Sequence, residues 1–203
     1  MNDGVLFIVS APSGAGKTSL VKALLTRDPG LSLSVSCTTR PARAGEDDGI
    51  HYNFLDQARF RQALAEGAFL ESAEVFGNLY GTRELDVRAC LSAGRDLILE
   101  IDWQGARQVR ERFPAAVGIF VLPPTIAELE RRLRGRGTDS DAVIARRMTQ
   151  ARDEMAHYAE YDYLVVNDRF ETALDALAAI ATAERHRLAR QRPRLSDLLD
   201  RLD

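Results

Sequence analysis

A glycine-rich loop near the start of the chain constrains its fold more than any other feature of the sequence. The loop follows a short apolar run, precedes a segment of helical character, and consists of Ala11, Pro12, Ser13, Gly14, Ala15, Gly16, Lys17 and Thr18. Its glycines let backbone N–H groups turn inward, and the helix start adds unpaired N–H donors, so this order of elements forms a nest for anions. A lysine that can follow a transferred phosphoryl group and a threonine hydroxyl that can bind Mg²⁺ complete a P-loop. Its first residue is Ala11 instead of the usual glycine, and the added methyl group requires only a small local adjustment.

Short apolar runs without polar alternation predict the buried strands of a parallel sheet. These runs lie at residues 5–9, 97–101, 118–122 and 163–166. Segments with helical patterns lie at residues 18–25, from the capping box at Thr125 toward Arg134, and at 171–190. Because strands alternate with helices, we predict an α/β fold with a central, mostly parallel sheet flanked by helices.

Two stretches interrupt this alternation. Residues 36–82 are polar and rich in turns, with a helix near 56–66 and an alternating strand at 31–36 before them, which indicates an inserted subdomain. Residues 125–152 become dense in arginine and contain a glycine pair, which suits a lid. We therefore predict one domain over 1–203, with a core formed by 1–35, 83–124 and 153–203.

Composition and charge exclude several classes of protein. With 45% hydrophobic and 28% charged residues, the chain is typical of globular proteins, and its net charge of −3 gives no general attraction to nucleic acid or anionic lipid. The apolar run at 5–9 is too short to span a membrane. The two cysteines, Cys37 and Cys90, have no spacing typical of a zinc site or a disulfide framework. We expect a cytoplasmic protein with no nucleic-acid, membrane or obligate protein partner.

A P-loop alone does not distinguish GTPases, ATP-driven motors and kinases of small molecules. GTPases typically bind guanine with an Asn-Lys pair, and no asparagine of this sequence precedes a lysine. The 203 residues also leave little room for a motor. Arg40 and Arg43 lie close together in a polar loop, and their planar guanidinium groups suit a phosphate dianion, to which Tyr52 and Tyr80 could add donors. The alternative for this loop is an exposed segment with solvated arginines.

Several motifs beyond the P-loop occur together and in order. They lie at residues 36–43, 45–46, 52–54, 69–71, 77–82, 101–105, 132–137 and 166–168. Through them the sequence resembles the guanylate kinase family, and its bacterial type in particular, over essentially the whole chain. The resemblance implies a P-loop kinase fold in which 36–82 is a GMP-binding subdomain and 125–152 an arginine-rich lid. It also implies the activity, transfer of the γ-phosphoryl group of ATP to GMP in purine nucleotide metabolism.

The resemblance assigns the acceptor site. It implies that the GMP phosphate is held by Arg40, Arg43, Tyr52 and Tyr80, and that the guanine is contacted by Ser36, Glu71, Thr82 and Asp102. A carboxylate can accept hydrogen bonds from the ring N–H and the amino group of guanine together, and a hydroxyl can donate to the guanine carbonyl. Adenine has the opposite groups at the ring and carbonyl positions, so it would leave buried polar groups unpaired at about 1–3 kcal/mol each.

The resemblance also assigns the donor site. It places Arg132, Arg136 and Arg147 of the lid near the phosphates or the adenine of ATP, and Asn167 at the adenine. Arginines that arrive on closure would stabilise the charge on the transferring phosphoryl group. The candidate catalytic residues are Lys17, Arg40, Arg136 and Arg147.

Magnesium, bound together with ATP, is the cofactor that the resemblance implies. The Thr18 hydroxyl is its first candidate ligand. Glu100 is the second, and it stands where many relatives carry aspartate, which preserves the charge but lengthens the reach. A general base is not required, because the acceptor is already a phosphate oxygen.

Two other functions remain open at this point. One is a kinase that acts on AMP, UMP or TMP, against which the carboxylate and hydroxyl set argues. The other is a guanylate-kinase-like module that binds protein partners without catalysis. Such modules typically lose the P-loop, which is intact here from Gly14 to Thr18.

Overall fold

The computed structural model describes residues 4–75, 77–135 and 140–201, so the predicted catalytic residue Arg136 lies outside the described residues. The strands, in chain order, are β1 (Leu6–Ser10), β2 (Leu31–Leu33), β3 (Cys37–Thr38), β4 (Asn53–Phe54), β5 (Phe69–Val75), β6 (Asn78–Arg83), β7 (Asp96–Glu100), β8 (Val117–Leu122) and β9 (Tyr163–Val166). The helices are α1 (Lys17–Arg27), α2 (Gln57–Ala65), α3 (Glu84–Ser92), α4 (Trp103–Arg112), α5 (Ile126–Arg134), α6 (Asp141–Ala156), α7 (Phe170–Arg185), α8 (Leu188–Gln191) and α9 (Ser196–Leu199). Within these ranges, no helix has both the length and the apolar character that a membrane crossing requires.

The central sheet is parallel throughout, with the strand order β2-β7-β1-β8-β9. Its middle strand, β1, is completely buried and divides its side chains between two cores. Phe7 and Val9 pack with residues of α1 and α7 on one face, and Leu6 and Ile8 pack with residues of α3 and α4 on the other. Because helices cover both faces of the middle of the sheet, β1, β7 and β8 are buried on both sides and show no alternation. The predicted α/β fold, with a parallel central sheet flanked by helices, is confirmed.

The topology brings two polar segments to one edge of this sheet. β1 and β7 are adjacent and parallel, so the loop after β1 and the residues after β7 leave the sheet at the same end. The order of strands reverses at β1, since β7 lies on one side of it and β8 on the other. Ligands of open α/β sheets bind at such a switch point, beyond the carboxyl ends of the strands.

A second, four-stranded sheet is built from residues 37–83 in the order β4-β3-β6-β5. Helix α2 packs against it through Phe60, whose ring stacks on Phe69 with centroids 4.5 Å apart. This helix begins after Asp56, whose carboxylate accepts a hydrogen bond from the backbone N–H of Arg59, and it is followed by Gly67 at a φ of +69°. The helix predicted near 56–66 is therefore confirmed.

The prediction of a terminal helix over 171–190 is wrong at its end. Helix α7 stops at Arg185, and the chain continues through an extended Arg187 into the short helix α8. The guanidinium of Arg185 is bound to Asp28 at 2.6 Å and to Asp96 at 2.5 Å. These two long-range ion pairs hold the end of α7 against the central sheet. The helical pattern of the sequence contains no signal for them.

One further prediction of local structure needs correction, and the structure adds a helix to the predicted lid. The strand expected at 31–36 spans only Leu31–Leu33, which pair with β7, and one more hydrogen bond, from the Ser34 N–H to the Ile98 carbonyl at 3.0 Å, follows it. The arginine-dense stretch after residue 131 contains a regular 16-residue helix, α6, which begins after Ser140 and extends beyond the predicted lid to Ala156. The Ser140 hydroxyl accepts a hydrogen bond from the N–H of Val143 and so caps this helix.

Candidate active site

The glycine-rich loop has the backbone geometry that an anion nest requires. Gly14 and Gly16 have φ angles of +94° and +91°, a left-handed conformation that favours glycine. Gly16 is the N-cap of α1, so the first N–H groups of that helix point to the loop without partners inside the helix. The alanine at position 11 is accommodated, and the turn closes with a hydrogen bond from the Ala15 N–H to the Pro12 carbonyl at 3.1 Å.

Lys17 extends from the loop into a cavity of about 560 Å³. Its ammonium group donates to the carbonyl of Ile101 at 3.3 Å. Burial lowers the pKa of Lys17, and the nearby carboxylates of Glu100, Asp102 and Glu154 oppose that shift. The Ile101 carbonyl therefore holds the ammonium group of the lysine at the cavity wall, in a position to meet a polyphosphate.

Two oxygen groups lie together beside the nest. The hydroxyl of Thr18 forms a short hydrogen bond with the carboxylate of Glu100, which ends β7. Hydroxyl and carboxylate oxygens are the ligands that Mg²⁺ prefers. The set is small, since the described residues contain no group of three or more His, Cys, Asp or Glu side chains arranged to hold a metal ion. It suits an ion that brings other ligands from a bound phosphate.

The predicted phosphate-binding residues of the acceptor side are brought together around Arg40. Its guanidinium group lies 5.3 Å from the ring centroid of Tyr52, whose ring is 6.1 Å from that of Tyr80. It also donates to the Glu46 carboxylate at 2.8 Å, and this bond, followed by one from the backbone of Arg43, lowers the pKa of Glu46 to about 2. Arg43 itself is exposed. The cluster therefore consists of the Arg40 guanidinium group, the two tyrosine rings beside it, and the Glu46 carboxylate with which Arg40 is paired in this structure.

A buried carboxylate and a buried hydroxyl form the predicted base-recognition pair. The Thr82 hydroxyl donates to Glu71 at 2.6 Å, and the two side chains are 1% and 4% exposed. Burial raises the pKa of Glu71 to about 7, and the hydrogen bond from Thr82 only partly offsets this effect. Continuing the register of β3 and β6, in which Cys37 lies opposite Gly81, places Ser36 opposite Thr82.

Helix α4 adds Asp102 to this pair. Asp102 is the N-cap of α4, and its carboxylate accepts a hydrogen bond from the N–H of Gly105 at 2.8 Å. A Cβ atom at Gly105 would lie 2.9 Å from the second oxygen of Glu71, so the glycine allows the Glu71 carboxylate to approach the helix. Three of the predicted guanine contacts, Glu71, Thr82 and Asp102, therefore face one region between the second sheet and α4.

The predicted donor-side residues that the structure describes lie beside the P-loop. Arg147 of α6 lines the cavity, together with the P-loop. Arg132 of α5 donates to the carbonyl of Asn167 at 2.9 Å and to the Glu128 carboxylate at 2.8 Å. Asn167 is buried, and its amide donates to the Ala15 carbonyl of the P-loop at 2.7 Å. Arg132 and Asn167 thus form a chain of contacts that leads from helix α5 to the P-loop.

Comparison with known proteins identifies the family to which this chain belongs. The sequence model of the guanylate kinase family matches residues 4–184. A guanylate kinase of Alkalilimnicola ehrlichii is 61% identical over 97% of each chain, and one of Salmonella typhimurium is 55% identical over 100% of this chain and 99% of its own. The chain belongs to the guanylate kinase family. The crystal structure of guanylate kinase from Anaplasma phagocytophilum agrees, with a TM-score of 0.77 and 34% identity over 94% of this chain and 90% of that one. The family is one of enzymes, and the fold is its P-loop fold.

Two polar residues of this guanylate kinase fold were missed by reasoning from the sequence. The side-chain amide of Gln108, on α4, donates to the carbonyl of Ser72 at 2.9 Å and accepts from its N–H at 3.0 Å, and so clamps β5 next to Glu71. The carboxylate of Glu154, on α6, accepts a hydrogen bond from the P-loop N–H of Ser13 at 3.1 Å. Both contacts join segments far apart in the chain, and neither helix was predicted, so no local pattern indicates them.

Replacing Asn167 with alanine tests its contact with the P-loop. The change leaves the Ala15 carbonyl without its buried donor, which costs about 1–3 kcal/mol of stability. We expect a lower melting temperature and a severalfold higher KM for ATP, with the KM for GMP unchanged. Asp168→Ala, at the exposed neighbouring position, is the control and should behave as the wild type. An Asn167→Ala variant with wild-type melting and wild-type KM for ATP would contradict the contact's role.

Proposed function

We propose that this protein transfers the γ-phosphoryl group of ATP to GMP and so forms ADP and GDP. A P-loop alone selects no acceptor, and the observation that carries the proposal is the buried pair of Glu71 and Thr82 beside Asp102. Its carboxylate can accept the two adjacent donors of guanine, which adenine does not present. The family's name and the P-loop support the donor half of the reaction.

On the donor side, the P-loop would enclose the phosphates of ATP with its N–H groups, and Lys17 would accompany the transferred group. The ATP site is proposed to include Ala11, Pro12, Ser13, Gly14, Ala15, Gly16, Lys17, Thr18, Arg132, Arg136 and Asn167. The lid, 125–152, would close over this site. The buried amide of Asn167, which donates to the Ala15 carbonyl, supports a part in shaping the loop, beside the contact with adenine that the family resemblance implies.

On the acceptor side, the subdomain 36–82 would hold GMP between its two polar clusters. Its phosphate would be bound by Arg40, Arg43, Tyr52 and Tyr80, and its guanine by Ser36, Glu71, Thr82 and Asp102. Arg40 is the best supported phosphate ligand, because it already holds the carboxylate of Glu46 at 2.8 Å and is framed by Tyr52. A phosphate dianion would replace or join that carboxylate.

Mg²⁺ fits the oxygen pair of Thr18 and Glu100, which would hold it beside the P-loop. When bound with ATP, the ion supplies positive charge to the phosphate oxygens. Lys17, Arg40, Arg136 and Arg147 would stabilise the remaining charge as the phosphoryl group moves. The residues therefore position two nucleotides and balance charge, and none has to remove a proton from the acceptor. Cys37 and Cys90 are free, buried thiols, which supports the cytoplasm as the place of the reaction.

A panel of acceptors tests the proposal. GMP, AMP, UMP and TMP are each incubated with Mg-ATP, and release of ADP is followed by a coupled assay. We expect kcat/KM for GMP to exceed that for AMP by about 10³-fold or more, because AMP leaves at least two buried polar groups unpaired. Preference for another monophosphate would overturn the acceptor assignment. Binding of GMP without turnover would instead favour the non-catalytic module.

A further inference from the structure

The helix pair α5 and α6 contacts the P-loop at two neighbouring residues. At Gly14 the contact is apolar, since a Cβ atom there would lie 2.9 Å from Leu133 and 3.1 Å from Leu129 of α5. At Ser13 the contact is polar, since the backbone N–H donates to the carboxylate of Glu154 on α6 at 3.1 Å. The two helices are joined to each other through an apolar cluster that includes Leu129, Leu133 and Met148. The pair therefore forms one unit that rests on the loop.

Glu154 and Arg147 lie on the same face of α6. They are seven residues apart, which is close to two turns of an α-helix, so their side chains project in nearly the same direction. Both line the cavity that contains Lys17. The hydrogen bond of Glu154 thus joins the P-loop to the face of α6 from which Arg147 enters the cavity.

We propose that Glu154 is a positioning residue, which ties α6 to the P-loop and thereby places Arg147 against the transferring phosphoryl group. The proposal rests on the proposed function, because it assigns to Glu154 a part in that reaction. It makes Glu154 neither a metal ligand nor a base, and its contribution is the hydrogen bond that it accepts from Ser13.

The hydrogen bond of Glu154 and its negative charge have different expected effects on ATP binding, so substitutions can test them separately. The carboxylate is half-buried, and burial raises its pKa, while the Ser13 N–H and the Lys17 ammonium group oppose that shift. A negative charge at this place repels the phosphates of a bound nucleotide, so the charge itself does not favour ATP. An uncharged amide oxygen at the same position can accept the same hydrogen bond. Glutamine should therefore substitute for Glu154, and alanine should not.

The test compares Glu154→Ala, Glu154→Gln, Arg147→Ala and the double variant Glu154→Ala/Arg147→Ala, with kcat and both KM values measured for each. We expect Glu154→Ala to lower kcat about tenfold with the KM for GMP unchanged, and Glu154→Gln to stay within about threefold of the wild type. Since Glu154 acts through Arg147, the double variant should be no slower than Arg147→Ala alone. Melting temperatures identify any variant whose loss comes from unfolding, and Glu154→Gln keeps the test open in that case.

Three results would overturn the proposal. They are a wild-type kcat in Glu154→Ala, an equal loss in Glu154→Gln and Glu154→Ala, which would make the charge responsible, and losses that multiply in the double variant. The wild-type protein separates this failure from that of the proposed function. If the wild type phosphorylates GMP and Glu154→Ala does so equally well, only the positioning role falls. If the wild type does not phosphorylate GMP, both proposals fall.

Discussion

Replacing Lys17 with alanine lowers kcat for phosphoryl transfer by roughly 10²–10³-fold, the usual effect of removing one preorganised charge from a site where charge develops. The Lys17 ammonium group is held at the wall of the cavity by the Ile101 carbonyl, at 3.3 Å, and no other lysine lies in the loop. Steady-state release of ADP with GMP as acceptor measures the loss.

The stability of the Lys17→Ala variant provides an independent check. Burial holds the pKa of Lys17 below its usual value of 10.5, so folding disfavours the charged amine. Removing the amine relieves this cost and also removes the hydrogen bond to the Ile101 carbonyl, and the two effects oppose each other. We therefore expect a melting temperature close to that of the wild type. Lys22→Ala removes the only other lysine, which is exposed on α1, and should keep the wild-type kcat. A Lys17→Ala variant with a kcat within about threefold of the wild type would exclude a role for this ammonium group in transfer.

Replacing Glu71 with glutamine has the second large effect, on the acceptor. The variant keeps the hydrogen bond from Thr82 to the side-chain oxygen, but its amide N–H₂ replaces the second carboxylate oxygen. Guanine therefore loses one acceptor, and one of its donors faces the donor of the amide. We expect the KM for GMP to rise roughly 10²-fold while the KM for ATP changes little. Glu66→Gln, an exposed change in the same subdomain, is the control. An unchanged KM for GMP in Glu71→Gln would remove this residue from base recognition.

The raised pKa of Glu71 also predicts how GMP binding depends on pH. Because burial raises the pKa of Glu71 to about 7, a large part of the free protein carries a protonated Glu71 at pH 6, and this form cannot accept both guanine donors. Between pH 8 and pH 6 the KM for GMP should rise about tenfold. The second pKa of a phosphate monoester, about 6, also falls in this range. Its effect is shared by Glu71→Gln, so the difference between the two profiles reports the carboxylate.

Glu71 should also lower the stability of the protein above neutral pH. Its pKa in the folded state, about 7, exceeds the ordinary value of 4.5, so the folded protein binds this proton more tightly than the unfolded chain. The free energy of unfolding therefore falls as the pH rises from about 4.5 to 7. Glu71→Gln removes this cost and should melt at a higher temperature than the wild type at pH 8, with a smaller difference at pH 5. Such an exchange of stability for recognition is common at functional sites.

The elements that the sequence predicts well are those with a strong local signal. The strand at Tyr163–Val166 has the predicted bounds, and the other three core strands agree to within a residue. Those three are apolar because helices cover them on both faces, whereas Leu164 and Val166 of the edge strand β9 are about half exposed. The helix after Thr125 begins where its capping residue stands, with the Glu128 N–H bound to the Thr125 hydroxyl. Helix α7 ends at Arg185, five residues earlier than its pattern indicates. The ion pairs that hold this end are long-range, so no local pattern predicts them.

The residues of the candidate site also divide into those with a local sequence signal and those without one. The P-loop is readable from the sequence, because strand, glycines, Lys17 and helix are contiguous. Glu71 and Thr82 carry no local mark of their role, and only the family resemblance identified them before the antiparallel pairing of β5 and β6 placed them side by side. Gln108 and Glu154 escaped both routes, since each contacts a backbone group distant in the chain.

The most direct measurement follows the phosphoryl group itself. The protein is incubated with GMP and Mg-ATP radiolabelled in the γ-phosphoryl group, and the nucleotides are separated. We expect the label to appear in the β-phosphate of GDP, in an amount equal to the ADP formed. Label found only as inorganic phosphate, or remaining in ATP while GMP is unchanged, would exclude phosphoryl transfer to GMP.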